Sequence, residues 1–354
     1  MDRDYFSASQ RRHVVRAERG YLAFVPPPLP PDLVLDAALV RQLSEADRAL
    51  GELAGAGRSL PNQAVLAGNL VRREAVLSSQ IEGTQASLSD LVLFEAGNGP
   101  ESVRKVHGPG DDDVREIVNY IAAVRHVLAP DRRLPVSIPL LREAHAILMS
   151  GSRGGHATPG EVRRSQNWIG PPGATLDGAT YIPPPPERLW ECLGTFEKHL
   201  HASRDLPPLV TIGCAHYQFE AIHPFLDGNG RIGRLLIVLL LVEWGLLDAP
   251  ILDLSARIEP RCNEYYARLL ATSTDGDWSG WLSFFSRRRR GAGPRRDRSS
   301  APATQPARRL PATRHHGEIL GPARGARGLA IRRAGDHGGK GSGSVGSYAP
   351  LGEP

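Results

Sequence analysis

The chain has little of what builds secreted or membrane-spanning proteins. Its 3 cysteines in 354 residues, Cys192, Cys214 and Cys262, lie far apart with no CxxC pair. That spacing excludes a disulfide framework and a cysteine-rich zinc cluster. The opening stretch MDRDYFSASQRRHVVRAERG lacks an apolar signal core. The longest apolar run, residues 235–242, falls far short of the roughly 20 residues that a bilayer span needs. A soluble, cytoplasmic chain without a membrane partner is the expectation. No internal repeat appears.

Evenly spread positive charge is also missing. The formal net charge is +5, yet residues 287–354 hold 15 Lys plus Arg against 4 Asp plus Glu, so residues 1–286 hold 28 basic and 34 acidic groups, a balance of −6. A uniformly basic nucleic-acid binder is excluded. The tail opens with four arginines, 287–290, and continues in Gly, Pro and Ser without apolar periodicity. Such text cannot offset the entropy of ordering, so 287–354 reads as a disordered basic tail. It lacks the interleaved aromatics of a nucleic-acid-binding arm.

What remains is helical pattern. The Pro-rich segment Val25-Pro-Pro-Pro-Leu-Pro-Pro-Asp32 is extended by its fixed φ angles and ends an extended N-terminal arm, residues 1–35. Apolar spacing near 3.6 residues predicts helices over 37–53, 62–79 and 88–96, an N-terminal helical region spanning 36–113 and closing in a Gly- and acid-rich loop. Further helices are predicted over 114–128, 138–149, 187–201, 207–222, 262–271 and 278–286, within a second unit of 114–286. Residues 235–245 are apolar on every face, the mark of a helix buried all round. Strand-like pieces at 167–169 and 179–182, separated by turn residues, predict a small β-hairpin flap. The fold class is mainly α with one flap.

The strongest local signal is His223-Pro-Phe-Leu-Asp-Gly-Asn-Gly-Arg-Ile-Gly-Arg234. Gly228, Asn229 and Gly230 allow positive φ and inward-turned N–H groups, and the helix start that follows adds positive charge, so the run is an anion site. Arg231 and Arg234, three apart, can converge on one polyphosphate. Asp227 is a natural Mg²⁺ ligand beside phosphate oxygens. His223 suits proton abstraction from a hydroxyl near neutral pH. Together these make a phosphoryl- or nucleotidyl-transfer kit. A zinc alternative stands beside it, because His216, Glu220 and His223 share a helix face at i, i+4 and i+7.

This run resembles the signature of Fic-domain proteins, His-x-Phe-x-(Asp/Glu)-Gly-Asn-Gly-Arg-x-x-Arg, at every specified position. Leu60-Pro-Asn62, Val71-Arg-Arg-Glu-Ala75 and residues 160–170, 181–186 and 215–222 are similar to bacterial Fic proteins with a Fic/DOC N-terminal region, so the likeness spans about residues 20–286. It implies a Fic-type helical bundle and a protein adenylyltransferase that moves AMP from ATP to a Ser, Thr or Tyr hydroxyl of a target protein or of the chain itself. On that likeness His223 is the base, Asp227 holds Mg²⁺, and the run Gly228, Asn229, Gly230, Arg231, Ile232, Gly233 and Arg234 binds the nucleotide. Thr180, Tyr181 and Ile182 would form the flap that docks the target by strand addition. A homodimer is admitted, and nucleic acid is not expected.

Ser78-Ser-Gln-Ile-Glu82-Gly83 resembles the family's inhibitory pattern, Ser/Thr-x-x-x-Glu-Gly/Asn, on an N-terminal helix. Ser78, Glu82 and Gly83 are therefore expected to restrain the site, with Glu82 taking Arg234 away from the γ-phosphate, and removal of AMP is a second activity the likeness admits. Similar proteins commonly continue with further helices after the point where this chain turns into Arg/Gly/Pro text. A shifted reading frame in a GC-rich gene would produce such text, and the alternative function is an inactive or truncated Fic-like regulator that binds a partner or DNA.

Overall fold

The computed structural model describes residues 1–97, 111–151, 158–171, 173–202, 205–287 and 330–333. The expected loop before residue 111 and nearly all of the expected disordered tail lie outside these residues.

The N-terminal helices are α1, Ala37–Arg58; α2, Gln63–Ile81; α3, Leu88–Gly97; and α4, Asp111–Val127. Asp36 caps α1 by accepting from the Leu39 N–H at 2.7 Å, and Asn62 caps α2 through Val65, each satisfying one orphan donor of a first turn. Beyond them come α5, Ile138–Leu148; α6, Pro186–His201; α7, Pro208–Ile222; α8, Asn229–Glu243; α9, Ser255–Ile258; α10, Cys262–Asp275; and α11, Trp278–Ser286. The mainly α expectation holds.

α7 and α8 form the centre. Residues 210–219 of α7 and 231–241 of α8 are buried on all faces, so the expectation for 235–245 holds as far as Leu241, beyond which Glu243 and Gly245 are exposed. The buried helix starts six residues earlier than the apolar run, inside the glycine-rich motif. Trp281 closes the core from α11: it is fully buried, stacks near His216, and donates from Nε1 to the Gly213 carbonyl at 2.9 Å.

The N-terminal arm is folded rather than extended. Residues Val14–Arg16 (β1) and Leu22–Phe24 (β2) pair antiparallel, and Phe6 stacks on Phe24 at 5.4 Å. Each strand has only three residues, too few for an alternation to stand out in the sequence. The Pro-rich segment then wraps the body, with the Pro27 carbonyl accepting from Gln218 of α7 at 3.0 Å.

The flap forms around β3, Asn167–Gly170, whose Ile169 bridges Tyr181. The other edge of β3 pairs antiparallel with β4, Ala330–Arg333, so the tail contains at least one extended, paired segment where disorder was expected. Tyr181 and Ile182, two of the expected target-docking residues, turn inward. Their side chains are buried: the Tyr181 hydroxyl donates to the Ala221 carbonyl at 2.8 Å, and the Ile182 carbonyl accepts from Phe24. Strand alternation sends Tyr181 to the main core and Ile182 to a small cluster with Ala23, Trp168 and Ala179. Thr180 alone of the three is exposed.

Replacing Trp281 by Ala removes the largest fully buried side chain among the described residues and takes away its indole donor to the Gly213 carbonyl. Urea unfolding is expected to show a loss of about 3–5 kcal/mol, and a loss below about 1 kcal/mol would contradict this packing.

Candidate active site

The site lies where α7 ends and α8 begins. Helix α7 stops at His223, whose φ of 51° and ψ of 60° are left-handed. A non-glycine residue there costs on the order of 1–2 kcal/mol, which surrounding contacts must offset. The chain then turns through Phe225 and Asp227 to Gly228, left-handed at φ 76°, and enters α8. The first N–H groups of α8 have no partners within the helix and gather at one point, with the positive end of the helix behind them.

His223 is buried and its ring is oriented by its own helix. Nδ1 lies 3.2 Å from the Glu220 carbonyl, which only accepts, so Nδ1 carries the proton. Nε2 is then a bare lone pair, buried and without a partner among the described residues. Burial first, with Arg163 adding to it, lowers the imidazole to about 4, so the ring is neutral at physiological pH with its Nε2 lone pair free to accept a proton.

The Asn229 side chain accepts from the Phe225 N–H and donates to the Phe225 carbonyl, both at 2.8 Å, and so braces the turn. That leaves its second Nδ2 hydrogen as a donor. Ile232 is likewise a core residue, and Gly233 makes room, since a Cβ there would collide with Glu220 Oε1. Asp227 is half exposed, with one oxygen accepting from Gly228 at 2.6 Å and lying 3.8 Å from Arg231. Among the described residues no group of three His, Cys, Asp or Glu could hold a metal. A single open carboxylate nevertheless suits Mg²⁺ shared with phosphate oxygens. The zinc alternative fails, because His216 uses both nitrogens, one on the Gly233 carbonyl at 2.9 Å and one on the Tyr265 hydroxyl at 2.8 Å.

Both arginines are occupied. Arg231 pairs with Glu116 at 3.1 Å. Arg234, fully buried, donates from Nε to the Ser78 hydroxyl at 2.8 Å and from Nη2 to the Ser78 carbonyl at 2.9 Å and to Glu82 at 2.7 Å. Its Nη1 has no partner among the described residues. Burial is the largest single influence and would lower the Arg234 pKa, but Glu82 together with Tyr265, Tyr266 and Glu220 outweighs it and the result is raised. Glu82 reaches this position because residue 230 is glycine: a Cβ there would collide with Glu82 Oε1. Gly83, at φ 99°, ends α2 beside it.

Several contributors escaped the sequence. His145 stacks on Phe225 at 3.8 Å, accepts from the Gly160 N–H, and donates to the Asp227 carbonyl at 3.0 Å. Arg163, Asn167 and Glu116 also touch the motif. Each lies tens of residues from the motif it braces, with no spacing to announce it.

Residues 40–129 match the Fic/DOC family N-terminal region and residues 135–241 match the Fic/DOC family. The chain belongs to the Fic/DOC family. It is 27% identical over 256 residues to a protein adenylyltransferase Fic of Drosophila willistoni, covering 71% of this chain and 47% of that one. A protein of the same name from Drosophila grimshawi is 29% identical over 202 residues, covering 55% and 38%. The chain thus spans less than half the length of these curated relatives. Its fold resembles the crystal structure of a Fic family protein from Desulfovibrio desulfuricans G20, with a TM-score of 0.57, 24% identity and 73% of each chain covered. It also resembles Fic-1 (aa134–508) from C. elegans, with a TM-score of 0.54, 21% identity and 70% of each chain covered.

The buried ionisable groups set a pH dependence. Burial raises the Glu220 carboxyl to about 8 and the Glu74 carboxyl to about 7, and lowers His145 and His223 to about 4 and His216 to about 3. The unfolded histidines lose most of their protons only above pH about 7, and beyond that they drop out because they are neutral in both states. The glutamates keep protons in the folded state that the unfolded chain has already released, so stability falls as pH rises from about 7 to about 8. Urea midpoints across that window are expected to decline, and Glu220→Gln should flatten the decline. A flat wild-type profile would contradict the assignment.

Proposed function

We propose that this Fic protein transfers AMP from ATP to a hydroxyl side chain of a protein, and that Glu82 restrains the transfer. The observation that carries the reading is the buried imidazole of His223, its Nε2 lone pair unpartnered among the described residues, beside the anion-binding start of α8. The signature of residues 223–234 and the names of the curated relatives support it.

In the proposed reaction His223 Nε2 takes the proton of a Ser, Thr or Tyr hydroxyl while that oxygen bonds to the α-phosphorus of ATP. The bond from phosphorus to the α,β-bridging oxygen breaks, and pyrophosphate leaves with the electron pair. The N–H groups at the start of α8 hold the phosphates, and freed Arg234 receives the γ-phosphate. Asp227 would hold Mg²⁺, which supplies charge neutralisation on the phosphates. Target docking is proposed at β3 by strand addition, where an incoming segment has to displace β4. The three free cysteines support a reducing, cytoplasmic setting.

Glu82 and the γ-phosphate compete for one guanidinium. A charge-assisted hydrogen bond of about 1.5–3 kcal/mol corresponds to roughly ten- to hundredfold in that competition. The same carboxylate is also proposed to serve removal of AMP.

Intact-mass analysis with ATP and Mg²⁺ tests the reading. Glu82→Gly is expected to add one AMP group to itself or to a lysate protein about ten- to hundredfold faster than wild type, and His223→Ala in that background to add none. An ATP-binding Glu82→Gly protein that adds no AMP, or adds it no faster than wild type, would overturn it. The reverse role is tested by release of AMP from the modified protein, which is expected to run faster in wild type than in Glu82→Gly.

A further inference from the structure

The end of α7 is sealed by donors from one distant segment. Five consecutive carbonyls, from residue 221 to residue 225, each accept from residues 163–181. The Tyr181 hydroxyl takes the carbonyl of Ala221 at 2.8 Å, and Arg163 Nη2 takes that of Ile222 at 3.5 Å. Arg163 Nε takes His223 at 2.9 Å, the Arg163 backbone N–H takes Pro224 at 2.9 Å, and Asn167 Nδ2 takes Phe225 at 2.8 Å.

Arg163 is the hub of this comb. It is 2% exposed, and every acceptor it uses among the described residues is a carbonyl, including Ser165 at 3.2 Å and Pro184 of the flap return at 2.5 Å. A buried guanidinium held by carbonyls alone is costly to desolvate. Its position explains the arrangement, because the last carbonyls of a helix lack partners and carry the negative end of the helix dipole.

We propose that Arg163 is the positioning residue of His223. It holds the His223 carbonyl so that the residue stays left-handed, which aims Nδ1–H at Glu220 and leaves Nε2 bare, and it ties that turn to the flap through Pro184. Loss of the guanidinium lets residue 223 relax out of its left-handed conformation. The Nδ1–H bond then breaks, and the ring adopts the tautomer mixture of a solvated imidazole.

The geometry of His223 stands apart from the reaction, and only its rate consequence rests on the adenylyl-transfer reading. Two measurements separate the two. In the Glu82→Gly background, Arg163→Lys and Arg163→Met are expected to bind ATP within about twofold of the parent by calorimetry, since Arg163 touches none of the α8 donors. Their single-turnover AMP transfer is expected to fall about a hundredfold, with Lys less impaired than Met. Nitrogen NMR of His223 supplies a readout independent of turnover: the parent shows the Nδ1-protonated tautomer, and Arg163→Met shows the mixture, with its titration moved up toward the ordinary histidine value.

An unchanged tautomer in a folded Arg163→Met protein overturns the proposal, as does a transfer rate equal to the parent's. Loss of ATP binding together with transfer in both variants assigns Arg163 to general folding and also overturns it. If the parent transfers no AMP, the functional reading fails while the tautomer measurement still decides the role of Arg163.

Discussion

One buried cation organises the molecule. Arg234 lies fully buried in the first turns of α8, and a guanidinium taken out of water has to be met by acceptors or it destabilises the fold. Its acceptors come from α2 and its cap, where Ser78 and Glu82 stand four residues apart on one face and supply a hydroxyl, a carbonyl and a carboxylate. The glycine at 230 opens the space through which Glu82 arrives, and Gly83 stops α2 at the right turn. The N-terminal helices are thus bound to the centre of the fold by an interaction made at its reactive end.

A second constraint is set at the other end of the motif. Helix α7 has to stop abruptly so that a histidine, rather than a glycine, occupies the left-handed position. The stop is stabilised by donors from the flap and its approach, while Asn229 closes the turn from within. His145 fixes the far side of the turn through the Asp227 carbonyl. The site is therefore rigid at its base, with a neutral imidazole and a set of aligned N–H groups. The Glu82 carboxylate lies on Arg234 at the start of α8. Preorganisation of this kind favours a transition state because no reorientation is required when charge develops.

Much of this was legible in the sequence. The helices showed in their 3.6-residue spacing, and the apolar residues 235–242 announced a helix buried on all sides. The twelve residues of the motif were readable because their chemistry is local: base, carboxylate, glycines and arginines crowd into one short run. The link from Glu82 to Arg234 spans 152 positions and was reached only through resemblance, since Ser-x-x-x-Glu-Gly alone marks an ordinary helix end. The burial of the Tyr181 and Ile182 side chains was not legible, because an exposed and a buried strand share one alternation and packing against Phe24 and Ala221 decides between them. That the Asn229 amide also braces the turn through Phe225 could not be read from the motif. Arg163, Asn167 and His145 left no trace in spacing, because a side chain that caps a distant carbonyl needs no periodicity of its own.

The proposed control rests on Glu82 and the γ-phosphate of ATP sharing the Arg234 fork. Calorimetric binding of ATP and ADP to wild type and to Glu82→Gly isolates that sharing, because the two nucleotides differ only in the γ-phosphate. The preference for ATP over ADP is expected to rise about tenfold or more when Glu82 is removed, and to fall back when Arg234→Met is added. An ATP-to-ADP preference unchanged between wild type and Glu82→Gly would mean that the two groups do not compete for Arg234.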